Sequence, residues 1–171
     1  DQVLKQLDER IRDEERALEE SKAITENKKD LNSERASDEI RKVEASEKAN
    51  QDALQKLAEQ MSDVMKDALR NKEILHDTMN EWSKIHETME QKASPEMQNA
   101  QQQMAQASQG SQQREQQMKQ AQEHQQNALN ALREAANKMQ TTNENLFARN
   151  FYNRLRHAAS SESGISDGLK R

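Results

Sequence analysis

From Ile40 to Met89 this chain places a seam residue at alternating steps of three and four, without a slip: Ile40, Val43, Glu47, Asn50, Leu54, Leu57, Met61, Val64, Ala68, Asn71, Leu75, Thr78, Trp82, Ile85 and Met89. A spacing of 3.5 residues draws one narrow apolar stripe along a long helix, and only another helix covers such a stripe. The chain is therefore expected to be all-α and to fold by packing helix on helix, as a coiled coil does. Composition agrees. Only 32% of the 171 residues are hydrophobic and 33% are charged, too few apolar groups for a thick core. The polar remainder is mostly Glu, Gln, Lys, Arg and Ala, all strong helix formers.

A second landmark is Ser94-Pro95-Glu96. Serine caps helices, proline fits the first helical turn, and an acid suits the positive end of a helix. This predicts a long heptad helix over 38–91, a turn at 92–94 and a second long helix over 95–158. The second helix has its own seam: Met97, Ala100, Met104, Ala107, Ser111, Arg114, Met118, Ala121, Gln125, Ala128, Leu132, Ala135, Met139, Thr142 and Leu146. Folding at residue 93 pairs positions whose numbers sum to about 187. Trp82 then faces Met104 to Ala107, Leu54 and Leu57 face Leu129 and Leu132, and Ile40 and Val43 face Leu146 and Phe147. The expected architecture is an elongated antiparallel coiled-coil hairpin, ~80 Å long at 1.5 Å per residue. Its weakest layer lies near Asn71, Ser111 and Arg114, close to Gly110, where a bend is expected.

Residues 1–31 also read as helix, with Leu4, Leu7, Ile11 and Leu18 on the repeat. Two arrangements compete. The polar stretch 25–38 turns and the segment folds back as a third helix, or one helix runs from 1 to 91 and overhangs. The fold-back is preferred, and Ser37-Asp38-Glu39 would cap the helix that follows. The stretch 98–126 is Gln-rich. Residues 159–171, with two glycines and four serines, read as a flexible tail.

Few chemical functions are compatible with this pattern. Net charge is −5, split as −7 over residues 1–92 and +2 over 93–171, so no strong basic field exists for nucleic acid. Without cysteine there are no disulfides and no thiolate sites. No apolar run approaches the ~20 residues that span a bilayer, and no signal-peptide pattern is present. A chain that begins at Asp1 reads as a mature product or, the preferred expectation, as a piece cut from a larger protein. Glu73 and His76 have the spacing of a di-metal carboxylate helix, but the facing segment in the hairpin supplies no ligands. The histidines are read as surface residues. No phosphate loop or nucleophile motif occurs, so neither enzyme activity nor a cofactor is expected.

Candidate partner-docking residues fall in two places. Phe147, Phe151, Tyr152, Arg154, Leu155 and Arg156 form an aromatic–basic cluster of the kind that dominates interface hot spots. Leu4, Leu7, Ile11 and Leu18 need a cover from a fold-back, a second copy or the rest of a parent protein. The residues assigned to the packing seam are Ile40, Val43, Leu54, Leu57, Met61, Val64, Leu75, Trp82, Ile85, Met89, Met104, Met118, Leu132, Met139 and Leu146.

Over its last 45 residues or so, the repeat Gln126, Ala128, Leu129, Leu132, Ala135, Met139 followed by Phe151, Arg154, Leu155, Arg156, Ala158, Ala159 resembles Gln-rich coiled-coil stretches of large membrane-anchored bacterial proteins of unknown function. The resemblance implies an extramembrane segment of an envelope protein and transfers no functional residue. The expected function is that of a non-enzymatic scaffold segment acting through helix packing, with protein partners (its own copies or parent helices, a homodimer included). The alternative is a free-standing adaptor or chaperone-like binder that grips partners with its Met/Gln seam.

Overall fold

The computed structural model describes residues 2–27, 30–70, 76–110 and 112–169, with side chains up to His157. Its helices are α1 (Gln2–Glu26), α2 (Glu34–Ala68), α3 (His76–Glu87), α4 (Ser94–Gln109) and α5 (Arg114–Leu169), with a π-helical turn, Thr88–Ala93, joining α3 to α4. The backbone stays helical through that turn, at Glu87, Ala93 and Ser94 alike. The structure is thus four antiparallel rods: α1, α2, α3–α4 and α5. Each packs on two neighbours, with α1 diagonal to α3–α4 and α2 diagonal to α5.

The all-α class and the antiparallel packing are those expected, but the connections differ. Residues 92–94 do not turn. The seam steps by eight residues from Met89 to Met97, where a heptad allows seven, and the π turn absorbs the extra residue. Met89, Ala93 and Met97 are all fully buried, so the stripe stays on one face across the slip. Ser94 N–H already bonds back to Met89 O, five residues earlier. Pro95, which lacks a donor, therefore sits where the regular ladder is already interrupted. The chain reverses instead at the polar layer expected to be weak. Leu69 and Arg70 leave α2, and Gly110 ends α4 in extended conformation, its N–H bonded to Gln106 O. The bundle is consequently about 50 Å long, set by the 35 residues of α2 at ~1.5 Å each.

The N-terminal segment folds back, as preferred, between the end of α1 at Glu26 and the start of α2 at Glu34. The helix that follows is capped by Ser33, whose Oγ accepts Ala36 N–H at 3.1 Å, rather than by Ser37. Ser37 is buried, and its hydroxyl donates to Ser108 O on α4. Residues 159–169, expected as tail, continue α5. A helix already propagated over many turns adds one hydrogen bond per residue, and two glycines at ~1 kcal/mol each do not stop it.

Two apolar clusters fill the bundle. One gathers Leu7, Leu54, Leu57, Met61, Ile85, Met89, Met97, Leu132 and Met139 with intervening alanines; the other holds Ile24, Leu31, Ile40, Val43, Met104 and Met118 with Ala100, Ala107 and Ala121. Ile40 and Val43 thus meet α1, α4 and the start of α5, and not Leu146 and Phe147. Trp82 is partly buried beside the first cluster, far from Met104. Among the seam residues, Val64 is half exposed and Leu146 partly buried, and Leu75 lies outside the described residues. Small and large side chains alternate where α4 meets α5, Ala100 and Ala107 with Met97 and Met104 against Ala121 and Ala128 with Met118. Small contact residues let helix axes approach closely.

Candidate functional site

Between the two apolar clusters lies a layer of polar side chains on seam positions. Glu14 comes from α1, Glu47 and Asn50 from α2, and Gln125 from α5. Glu14, Glu47 and Gln125 have no exposed surface and Asn50 has 3%. Asn50 Nδ2 donates to Glu14 Oε2 at 3.0 Å and to Arg10 O at 3.2 Å, while Gln125 Nε2 donates to Glu47 Oε2 at 3.1 Å. The Glu14 and Glu47 carboxyls are close enough for each to feel the other's charge.

Two ionised carboxylates this close in an apolar interior repel each other and lose hydration. Burial first, and then the adjacent Glu47, push Glu14 up to about 9. Burial pushes Glu47 up to about 7, opposed by the hydrogen bonds from Gln125 and Glu14. The pair thus retains a proton at neutral pH. Even so, Glu14 Oε1, Glu47 Oε1, Asn50 Oδ1, Gln125 Oε1 and the nearby Ser21 Oγ have no partner. The layer has too many acceptors for its donors. It can hold a proton and fix the register of three helices, since a polar layer in an apolar seam penalises every misaligned pairing. Buried as it is, it presents no surface to a substrate.

A second buried polar group closes the far end. Arg114, 5% exposed, donates from Nε to Ala107 O at 2.7 Å and from Nη1 to Leu31 O at 2.8 Å and Ser33 O at 3.0 Å. One guanidinium thereby ties the α4–α5 turn to the α1–α2 turn. Glutamines from the Gln-rich stretch do similar work. Gln101 donates to Gln51 Oε1 across α2 and α4, and Gln122 to Ser21 O and Thr25 Oγ1 across α1 and α5.

The docking residues expected on α1 are placed inside. Leu7 and Leu18 are buried, and Leu4 and Ile11 pack on the first cluster. The fold-back covers them, so they form no surface. The C-terminal cluster behaves differently. Beyond Thr142, the last buried residue among those of α5 whose side chains are described, the helix continues as an arm. Three-and-four steps past Leu146 reach Arg149, Asn153 and Arg156, so the buried stripe ends there. Phe147, Phe151 and Leu155 lie on a separate face at i, i+4 and i+8, with Tyr152 beside them. They are 74%, 57%, 54% and 65% exposed in that order, and the two phenyl rings stack with centroids 6.4 Å apart. Arg154 and Arg156 are exposed at the edges of that face.

At the root of the arm the bundle end opens into a cavity of about 500 Å³, lined by Val3, Met61, Asp63, Val64, Trp82 and Met139 among others. Among the described residues no group of three or more His, Asp or Glu side chains could hold a metal ion. His76 is exposed, and Glu73 lies outside the described residues. No helix among them is long and apolar enough to cross a membrane.

Fold and site together define an all-α antiparallel four-helix bundle with a buried carboxyl layer and a projecting helical arm. Comparison with protein-family models, with curated proteins and with solved structures finds no match to the chain.

Proposed function

We propose that this chain is a non-enzymatic structural module that acts by helix–helix packing, with the bundle as a stiff base and residues 143–157 of α5 as its docking arm. One observation carries the reading. Of six large apolar residues left exposed among those described, four (Phe147, Phe151, Tyr152 and Leu155) stand together on the arm. Clustered apolar exposure on an otherwise polar surface marks an interaction site, whereas scattered single residues do not. The test is the variant F147S/F151S/Y152S/L155S. Its bundle keeps the helical content and cooperative unfolding of the parent chain, while binding to the arm, by a partner or by a second copy, is lost. A variant that unfolds the bundle shows the arm to be part of the core and refutes the reading.

A second reading, an adaptor that grips partners through a methionine seam, has narrower support. Met89, Met97, Met104 and Met118 are buried, and the opening that reaches methionine is the end cavity with Met61 and Met139. A ligand of that opening would raise the unfolding temperature in proportion to the logarithm of its concentration.

A further inference from the structure

The arm and the end cavity are complementary surfaces on one molecule that cannot meet within it. We propose that the arm of one copy docks in the end cavity of a second copy, reciprocally, so that the chain forms a twofold dimer; this rests on the reading of the arm as a docking element. Three features select this occupant.

The first is connectivity. Met139 and Asn143 line the cavity and belong to the same unbroken helix as Phe147 and Phe151. A continuous helix carries its own arm away from the opening at its root, so the arm that enters comes from elsewhere.

The second is charge. The arm, 143–157, holds Arg149, Arg154 and Arg156 against the single acid Glu144. The end of the bundle around the cavity (residues 2–9, 59–70 and 76–84) carries seven acids and four bases. Asp63 stands on the cavity wall, paired to Lys66 of its own helix. Arm against arm would set three arginines beside three. Arm against bundle end sets arginines beside acids, and complementary charge fixes which surfaces meet.

The third is shape. The arm presents a ridge of two stacked phenyl rings and a leucine, and the bundle end presents a hollow walled by Val3, Val64 and Trp82. The stretch 143–157 of the arm is ~22 Å long at 1.5 Å per residue, about the width of two packed helices, and the helix runs on beyond it to Leu169. A ridge entering a groove is the ordinary mode by which an amphipathic helix is captured. The twofold arrangement makes this contact twice, as an isologous interface requires.

Sedimentation velocity on the full chain tests the proposal, with circular dichroism to verify folding of each variant. The parent chain sediments at twice its 19.7 kDa mass. F147S/F151S, which removes the ridge, and V64E, which charges the half-exposed wall of the hollow, each sediment as folded monomers. Mixing the two restores dimer, because V64E still has an arm and F147S/F151S still has a hollow. A V64E variant that stays dimeric overturns the proposal in favour of arm-to-arm pairing. A monomeric parent chain also overturns it; if F147S/F151S then leaves the bundle intact, the arm remains a docking element for another partner, and if the bundle unfolds, both readings fail. Co-sedimentation of a monomeric parent chain with phosphatidylserine vesicles, lost in F147S/F151S, overturns it in favour of a membrane surface.

Discussion

Acidification should stabilise this bundle, opposite to the behaviour of a protein held by surface carboxylates. In the unfolded chain Glu14 and Glu47 titrate near the ordinary value of 4.5, whereas in the fold Glu14 keeps its proton to about 9 and Glu47 to about 7. Over that range the native state binds more protons than the unfolded state, so stability falls as pH rises. The stabilisation is complete below pH 4.5 and is lost progressively as pH climbs through the two native values. One retained proton is worth about 1.4 kcal/mol per pH unit. From pH 7.5 to 5.5 Glu14 alone therefore contributes on the order of 3 kcal/mol, and Glu47 adds to this in the lower part of the range. For a domain of this size that raises the unfolding temperature by about 6–12 °C. Glu134, whose carboxyl is held below the usual range first by hydrogen bonds from Lys138 and Lys92, acts in the opposite sense, but only at pH values under 4.5. Thermal unfolding followed by circular dichroism at pH 5.5, 6.5 and 7.5, at constant ionic strength, measures the effect. The variant E14Q/E47Q keeps neutral polar groups of the same shape and should be nearly flat across the three values, and more stable than the parent at pH 7.5. An unfolding temperature that falls on acidification, or a double variant that retains the slope, refutes the reasoning.

Arg114→Ala removes the donor from two buried carbonyls and one part-buried carbonyl and should cost about 2–4 kcal/mol in denaturant unfolding; Arg114→Lys should recover less than half, since an ammonium does not reproduce the planar fork. Leu132→Ala, in the centre of the first cluster, should cost about 2–5 kcal/mol, and a loss under 1 kcal/mol would show that the cluster is loosely packed. Deletion of the exposed Gln91 combined with Pro95→Ala shortens the Met89–Met97 step from eight residues to seven without leaving a proline inside a regular ladder, and should keep stability within about 1 kcal/mol of the parent; loss of cooperative unfolding would reject the slip as the cause of the π turn.

Much of this architecture was legible as periodicity and little of it as connection. The stripes from Ile40 to Met61 and from Met97 to Met139 are read directly from the steps of three and four, and nearly all of those residues are buried. The connections were misread because Pro95 carries the strongest local turn signal in the chain. That signal is equally the signature of a first helical turn, and a π turn supplies one without a reversal. The true reversals coincide with the layer flagged as weak, where polar residues occupy the seam near Asn71 and Ser111. A heptad seam registers such residues only as poor packing, since the pattern of apolar residues continues across a turn as readily as through it. The buried carboxyl layer had a visible signal too. Glu47, Asn50 and Gln125 are on the long seams, and Glu14 is on the α1 repeat between Ile11 and Leu18, but only the fold-back of α1 brings it to Glu47. The docking cluster is read from its aromatic and basic residues and from the i, i+4, i+8 spacing of Phe147, Phe151 and Leu155 on one helix face. What set it apart from core was that the three-and-four steps past Leu146 land on Arg149, Asn153 and Arg156.

The four-rod register is tested most directly by disulfide trapping in a chain that has no cysteine of its own. Ser37 and Ser108 are both buried, and the Ser37 hydroxyl reaches the Ser108 carbonyl across α2 and α4. A hairpin turning at 92–94 would instead bring residue 37 to Asn150. Mild oxidation of S37C/S108C should give an intramolecular disulfide in the folded monomer unit, read by mobility on a non-reducing gel, while S37C/N150C gives none. The reverse pattern, with the disulfide in S37C/N150C alone, would contradict the bundle described above.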